Sequence, residues 1–303
     1  MSVLVLAGFL AVAVFPMAIL LVTVLGWQRW LDPDRGRRQP FDELPKGRWP
    51  GVGIRRRLMD AGQRWEALSL QLALVGPLVL GVWATVRLHR LGELTLDLVG
   101  ALLFVAAGGW SAWAAWRLVA IGRERRRFIE ALRAEHAVAQ YLQPLLAQGW
   151  VIFHDLPAEG FNIDHIAIGP NGVFAIETKS RKKPPRDVKE GHRVRFDGRA
   201  LHFPDHSTSK PVEQAQRQAR WLERELASGT GESVKVVPVL ALPGWFVESS
   251  VRQSASDGFV LAGKALEGFL PKASTGMALD VKQRQRIAHV LTLRYTDNTD
   301  AIA

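Results

Sequence analysis

Long uninterrupted apolar stretches are confined to the first 121 residues of the chain. They lie at about residues 2–28, 67–86 and 98–116, and none of the three contains a charged residue. A helix that crosses a bilayer needs roughly 20 predominantly apolar residues. The pattern therefore predicts a membrane region, residues 1–121, with three transmembrane helices. The first stretch lacks the basic start and the small-residue cleavage site of a signal peptide, which favours an uncleaved span.

Lysine and arginine are distributed unevenly around these stretches. Residues 29–66 contain ten of them, whereas the connection between the second and third stretches has only Arg87 and Arg90. The positive-inside rule therefore places the N-terminus outside, and both the loop 29–66 and everything after residue 121 in the cytoplasm. The expected location is the plasma or inner membrane of a cell, crossed several times. The basic run at 123–127 fits a stop-transfer signal, with a nucleic-acid contact as the alternative.

After residue 121 the pattern changes to the shorter periods of a folded domain. Helical spacing alternates with short β-like runs, and turn residues separate them. This predicts an α/β domain, residues 122–303, with a mixed central sheet flanked by helices. The predicted helices are 125–148, 211–227 and 281–293, and the predicted strands are 150–155, 163–168, 173–177, 233–242 and 258–261.

The hairpin between the second and third predicted strands is the most informative feature of this domain. The sequence Gly169-Pro170-Asn171-Gly172 is typical of a tight turn. A turn centred on Pro170-Asn171 places Asp164 opposite Glu177, and directly opposed residues share one face of the sheet. Lys179 is two residues further along, so it lies on the same face.

Two opposed carboxylates repel each other unless a cation or a proton neutralises them. Magnesium often uses one or two carboxylates, with water and phosphate oxygens as its other ligands. The arrangement therefore indicates a site for Mg²⁺ or Mn²⁺ at Asp164 and Glu177. Taken singly, Asp164 could cap a turn, Glu177 could be a solvated strand residue, and Lys179 could neutralise both.

Glu135 lies on or beside the apolar stripe of the first helix of the domain, where a carboxylate needs a partner or a cation. The alternative is a glutamate at the edge of the stripe that reaches solvent. On the helix 211–227, Gln214 and Gln218 share a face from which a glutamine could bind a phosphate or a base. We therefore treat all three as candidate site residues.

The net charge of +10 is concentrated in local clusters, so the chain is not a uniformly basic nucleic-acid coat. One cluster follows Lys179 directly and includes Arg181, Lys182, Lys183 and Arg186. It fits a groove for a phosphate backbone, and equally a solvated loop or one that rests on anionic lipid. The chain has no cysteine and no phosphate-binding glycine loop, and no small-molecule cofactor is indicated.

Several of these residues, in this order, resemble the nuclease-related domain family (NERD), a distant branch of the PD-(D/E)XK nucleases. The resemblance covers about residues 128–245. It rests on Glu135, on the segments 162–165, 169–174 and 176–180, and on Pro211 followed by Gln214. It implies a restriction-endonuclease-like fold.

The resemblance also implies roles for single residues. Asp164 and Glu177 would be metal ligands, Lys179 would position or activate water, and Glu135 would supply a further acid. The chain departs from the family pattern at Ala134, where a glycine is usual, and in a longer and more basic segment at 180–210.

The expected function is therefore a membrane-anchored, Mg²⁺-dependent nuclease that hydrolyses phosphodiester bonds of DNA or RNA at the cytoplasmic face. A catalytically silent domain that binds nucleic acid or a partner protein is the main alternative. A third possibility is an accessory membrane protein with a regulatory soluble domain, although few polar groups lie in the apolar stretches.

Overall fold

The computed structural model describes residues 49–91, 96–184 and 190–297. Its first two elements are the long helices α1 (Val52–Leu91) and α2 (Leu98–Ala147). Both are long and apolar enough to cross a membrane, by length and composition, and they contain the predicted apolar stretches 67–86 and 98–116. The most apolar window of α1 is 0% buried and that of α2 is 11% buried. The predicted span at 2–28 lies outside the described residues.

Both helices begin or extend beyond the predicted limits. Helix α1 starts at Val52, within the segment 29–66 that was predicted as a loop. Residues 54–66 are mostly good helix formers without proline, so helix propensity extends the apolar segment backwards. Helix α2 joins the third apolar stretch to the helix predicted at 125–148. Only Gly122 weakens the helix between them, and one glycine costs too little to interrupt it.

The described residues form two compact units. One contains those of Met59–Arg126, and the other contains those of Pro45–Leu58 together with those of Arg127–Ala303. The second unit is the α/β domain. It therefore includes the beginning of α1, which the sequence placed in the membrane region.

After α2 the domain alternates strands and helices. The strands are β1 (Val151–Pro157), β2 (Asn162–Gly169), β3 (Gly172–Thr178), β4 (Arg193–Phe196), β5 (Leu201–His202), β6 (Ser207–Thr208), β7 (Val236–Leu242), β8 (Phe246–Ser249) and β9 (Phe259–Ala262). The remaining helices are α3 (Lys210–Thr230), α4 (Leu266–Phe269) and α5 (Val281–Asp297), with 3-10 turns at Gly263–Ala265 and Leu270–Lys272.

The central sheet is mixed, as predicted. Its strand order is β1-β2-β3-β7-β9, with antiparallel pairs at the β1 side and parallel pairs from β3 to β9. Val173 to Ile176 and Val236 to Leu242 are buried throughout, as is usual for strands covered on both faces. The sheet supplies a rigid base for the ends of β2 and β3.

Helices cover both faces of this sheet. The C-terminal part of α2 packs Val138 and Leu142 on one face, together with Phe174 and Ile176 of β3. Helices α3 and α5 cover the opposite face, where Leu222 lies among residues of β2 and β3. The end of β3 therefore lies between α2 and α3, which both contribute side chains to it.

A second sheet, with the order β6-β5-β4-β8, was not predicted. Its strands have two to four residues, which is too short for an alternating pattern to be recognised. Three of them lie in the segment 180–210, in which the sequence predicted no strand. Val194, Phe196 and Leu201 form a small core with residues of β7.

The register of the β2–β3 hairpin is confirmed. Gly169 pairs with Gly172, Ile168 with Val173 and His165 with Ile176. The turn therefore consists of Pro170-Asn171, and its Asn171 amide donates hydrogen bonds to two main-chain carbonyls after α4. One step beyond the last pair of this ladder, the register places Asp164 opposite Glu177.

Candidate active site

Glu177 lies near the end of β3 and is almost completely buried, with 3% of its surface exposed. Its Oε2 accepts a hydrogen bond of 2.7 Å from Nε2 of Gln218, which also donates to the carbonyl of Asn162. Its Oε1 lies 3.5 Å from Nζ of Lys179. The carboxylate is thus held by α3 on one side and by the lysine on the other.

Asp164 lies on β2 beside this pair. Its Oδ2 accepts a hydrogen bond of 2.7 Å from the main-chain N–H of Thr178. That bond ties the carboxylate to the end of β3, on the face that the register predicted. Burial raises the pKa of Asp164 well above its usual value. The nearby negative charges of Glu177 and Glu135 raise it further, because they disfavour ionisation.

Lys179 follows β3 and is partly exposed. Its ammonium group lies 3.5 Å from Oε1 of Glu177 and 3.3 Å from Oε1 of Gln214. The glutamine is on the first turns of α3. Lys179 therefore has two oxygen partners and still presents part of its side chain to solvent.

Glu135 reaches the same place from α2. It is buried, with 5% of its surface exposed, and its Oε2 has no hydrogen-bond partner in the described part of the chain. Burial, together with the nearby charges of Asp155 and Glu177, raises the pKa of Glu135 to about 8. The expectation of a buried acid on this helix is confirmed, and the reading of a solvated edge residue is wrong.

Asp155 was not predicted as a site residue. It lies on β1, where the register with β2 places it opposite Asp164, and its φ of +50° is unusual for a residue other than glycine. Its carboxylate accepts hydrogen bonds of 2.9 Å from the side chain of Asn162 and from the main-chain N–H of Gly53. Asp155 could have been predicted from the pairing of β1 with β2. The sequence does not determine the register of that pair, because the connection between the two strands is not a tight turn.

The beginning of α1 is docked on this side of the site. The carbonyl of Pro50 lies 3.1 Å from Nε2 of His136, and the N–H of Gly53 donates to Asp155. A Cβ atom at Gly53 would lie 2.7 Å from the amide of Asn162, so the segment approaches closely because it has glycine there. The acids and this segment line a cleft of about 520 Å³ that also includes Arg57 and Lys179.

The lining of the cleft therefore combines four carboxylates with the two cationic side chains of Arg57 and Lys179; the carboxylates are those of Glu135, Asp155, Asp164 and Glu177. Burial raises the pKa of Glu177, and the hydrogen bonds of Lys179 and Gln218 oppose that rise. Since the two cationic side chains compensate only two negative charges, a fully ionised set of these four carboxylates needs at least one more cation. Otherwise protons are retained.

The residues fit a hard cation by this chemistry. No three His, Cys, Asp or Glu side chains in residues 49–91, 96–184 and 190–297 are arranged as a metal-binding group. The predicted ligand set is smaller, with the two carboxylates of Asp164 and Glu177. A Mg²⁺ ion commonly takes its remaining ligands from water and phosphate. The orphan Oε2 of Glu135 gives a second reason for positive charge at this place.

The residues that the sequence predicted to bind nucleic acid lie in different environments. Gln214 lines the acid cleft, whereas Gln218 is buried and holds Glu177. Arg181 pairs with Asp205 at 2.8 Å and lies over the ring of Phe203. Lys182 is exposed and forms an ion pair with Glu130 at 2.8 Å. Lys183 is also exposed. Arg186 lies outside the described residues.

His165 lies on the face of β2 opposite to that of Asp164, since neighbouring strand residues alternate between the two faces. It is fully buried under α2, and its Nδ1 lies 2.8 Å from Nδ1 of His154 on the neighbouring strand. Burial holds the pKa of both imidazoles below the usual range. This pair belongs to the core on the opposite face of the sheet.

Comparison with known proteins supports the family resemblance. Residues 131–243 match the family model of the nuclease-related domain, NERD. The match falls on the region in which the resemblance was found, and it covers less than half of the chain. No curated protein and no solved structure matches the chain.

Proposed function

We propose that this chain is a membrane-anchored, metal-dependent nuclease whose site is the acid cleft. The observation that carries the proposal is the convergence of Asp164, Glu177 and Glu135 beside Lys179, within a segment that matches the nuclease-related domain. A site of this composition suits a reaction at a phosphodiester, because anionic phosphate and carboxylates can share one cation. By resemblance the fold is that of the PD-(D/E)XK nucleases.

Asp164 and Glu177 would hold Mg²⁺ or Mn²⁺, which supplies charge stabilisation at the phosphoryl oxygens and lowers the pKa of bound water. Lys179 donates hydrogen bonds to the water or to a phosphate oxygen, since its ammonium group is partly exposed at the cleft. Gln218 keeps Glu177 in place. Glu135, whose pKa is raised to about 8, can hold or release a proton beside the reacting groups.

The first test is hydrolysis by the full-length protein in detergent. Single-stranded, duplex and structured DNA and RNA are incubated with Mg²⁺ or Mn²⁺. Asp164→Asn and Glu177→Gln are expected to lower kcat/KM by about 100-fold or more, equivalent to about 2.7 kcal/mol. Glu267→Gln removes an exposed acid elsewhere and is expected to retain activity. Full activity in both acid variants would contradict the assignment of the acid cleft as the catalytic site.

A catalytically silent domain that binds nucleic acid or a protein is the second candidate. The buried acids favour the enzyme, because opposed carboxylates weaken a surface that only binds phosphate. Titration calorimetry with Mn²⁺ distinguishes the two, with Asp164→Asn as the control. Metal binding by the wild type that the variant loses supports the enzyme, and no metal binding at all supports the silent domain.

Membrane anchoring is part of the same proposal. The apolar windows of α1 and α2 remain largely exposed among the described residues, which is unfavourable in water for surfaces of this size. Each helix exceeds the roughly 20 residues that a span requires. The nuclease would therefore act on nucleic acid that reaches the membrane surface.

A further inference from the structure

A second groove, of about 400 Å³, lies along α3 and continues from the acid cleft. The two share Phe161 and Gln214 in their linings. A substrate that occupies one can therefore extend into the other without leaving the protein surface.

Three arginines of α3 line this groove: Arg217, Arg220 and Arg224. Their spacing of three and four residues places them on one face of the helix. All three are exposed. The face begins at Gln214, and from there to Arg224 the helix advances about 15 Å at 1.5 Å per residue.

These arginines have weaker or fewer ion pairs than Arg181 and Lys182, which follow Lys179. Arg217 is 3.9 Å from Glu213, which is a long contact between exposed side chains. Arg220 and Arg224 form no ion pair with any residue in the described part of the chain. Arg181 and Lys182, by contrast, have partners at 2.8 Å, and each would have to give one up to bind phosphate.

The groove also has an aromatic component. Phe161 and Trp221 are in edge-to-face contact, with ring centroids 5.6 Å apart, and both line it. Trp221 is mostly buried, while Phe161 is partly exposed and adjoins both cavities. A partly exposed ring next to cationic side chains suits bases and phosphates of one strand.

The geometry points to a track for single-stranded nucleic acid along α3, on which Arg217, Arg220 and Arg224 bind backbone phosphates next to the acid cleft. The inference deepens the proposed function, since it states where the substrate strand lies beyond the reacting phosphate. Guanidinium groups suit this role because they bind phosphate oxygens bidentately. The contacts are with the backbone, so the binding is not sequence-specific.

The test measures affinity of the full-length protein in detergent for a fluorescent single-stranded oligonucleotide, without divalent metal. The triple variant Arg217→Gln/Arg220→Gln/Arg224→Gln is expected to bind at least about 10-fold more weakly. Each lost phosphate contact lowers the salt dependence of binding by about 0.7 for a single strand, so the slope should fall by about 2. The matched control, Arg195→Gln/Arg199→Gln/Arg252→Gln, removes three exposed arginines that do not line the groove.

An equal loss in the two triple variants would show that only net charge matters and would overturn the track. It is also overturned if poly-glutamate competes as well as the oligonucleotide, because the groove would then bind any polyanion. Since no metal is present, these results do not depend on turnover.

Hydrolysis gives a second readout. With Mn²⁺, the triple variant should lose more activity on oligonucleotides, as a raised KM, than on a small phosphodiester such as bis-p-nitrophenyl phosphate, which does not reach α3; equal losses on both substrates would contradict the track. Absence of hydrolysis in the wild type would contradict the proposed nuclease, while the binding results would still decide the track.

Discussion

At the scale of single residues, the charge balance of the acid cleft governs how this protein responds to pH. Glu135 is buried with a pKa of about 8, whereas in the unfolded chain it titrates near 4.5. Between these values the folded state holds a proton that the unfolded state has released. Stability is therefore lost as the pH rises through this interval in the absence of metal.

Glu135→Gln should remove this loss, because glutamine keeps the shape and carries no charge. At pH 8.5 without metal, the variant is expected to unfold at a temperature at least about 5 °C higher than the wild type, because each kcal/mol of regained stability raises the unfolding temperature by about 2–4 °C. Near pH 4.5 the two should coincide. Differential scanning fluorimetry across this range, with Glu267→Gln as control, measures the gap; parallel curves would contradict the burial of an uncompensated charge.

The sequence identifies a site residue when its position depends on a short local pattern, and misses it when the position depends on a longer connection. Asp164 and Glu177 could be placed together because one short turn fixes their register. Helical spacing placed Glu135 on or beside the buried stripe but left its burial as one of two alternatives. Asp155 could not be placed, since its position opposite Asp164 depends on a longer connection and on a main-chain conformation that the sequence does not specify.

At the scale of elements, the beginning of α1 belongs to the α/β domain. The Gly53 N–H donates to Asp155, and His136 lies within hydrogen-bond distance of the carbonyl of Pro50. These contacts hold one wall of the acid cleft. Sequence patterning missed them because a short polar segment between apolar helices carries no periodic signal.

Gly53→Ala tests this docking. The new Cβ would lie 2.7 Å from Nδ2 of Asn162, so the variant should destabilise the domain by about 1–3 kcal/mol and weaken activity. Gly62→Ala is the matched control, because it lies on the same helix with no atom within 4 Å of the new Cβ. It should be neutral or stabilising by up to about 1 kcal/mol. Thermal unfolding and hydrolysis are measured for both variants. Equal stability and activity in the two would contradict the packing of the beginning of α1 against the site.

Long elements were predicted well and short ones poorly. The apolar runs of β3 and β7 exceed the length at which a buried strand is distinctive, and α3 has a clear apolar face. Strands β4, β5 and β6 have two to four residues, and they form through pairing with one another and with β8. Their structure is tertiary in origin, so local patterning could not reveal it.

At the scale of the whole molecule, the distribution of charge along the chain determines the expected orientation. Ten Lys and Arg residues precede or begin the second apolar segment, and only Arg87 and Arg90 lie in the connection that follows it. Basic residues are retained on the cytoplasmic side during insertion. The connection between α1 and α2 should therefore be outside, and the α/β domain inside.

Cysteine labelling tests this orientation without background, because the chain contains no cysteine. Ser2→Cys and Thr95→Cys should react with a membrane-impermeant maleimide on intact expressing cells. Ser256→Cys, at an exposed position of the α/β domain, should react only after lysis. Labelling of Ser256→Cys alone in intact cells would reverse the orientation. Protection of all three until lysis would contradict the insertion of these apolar segments across the cell membrane.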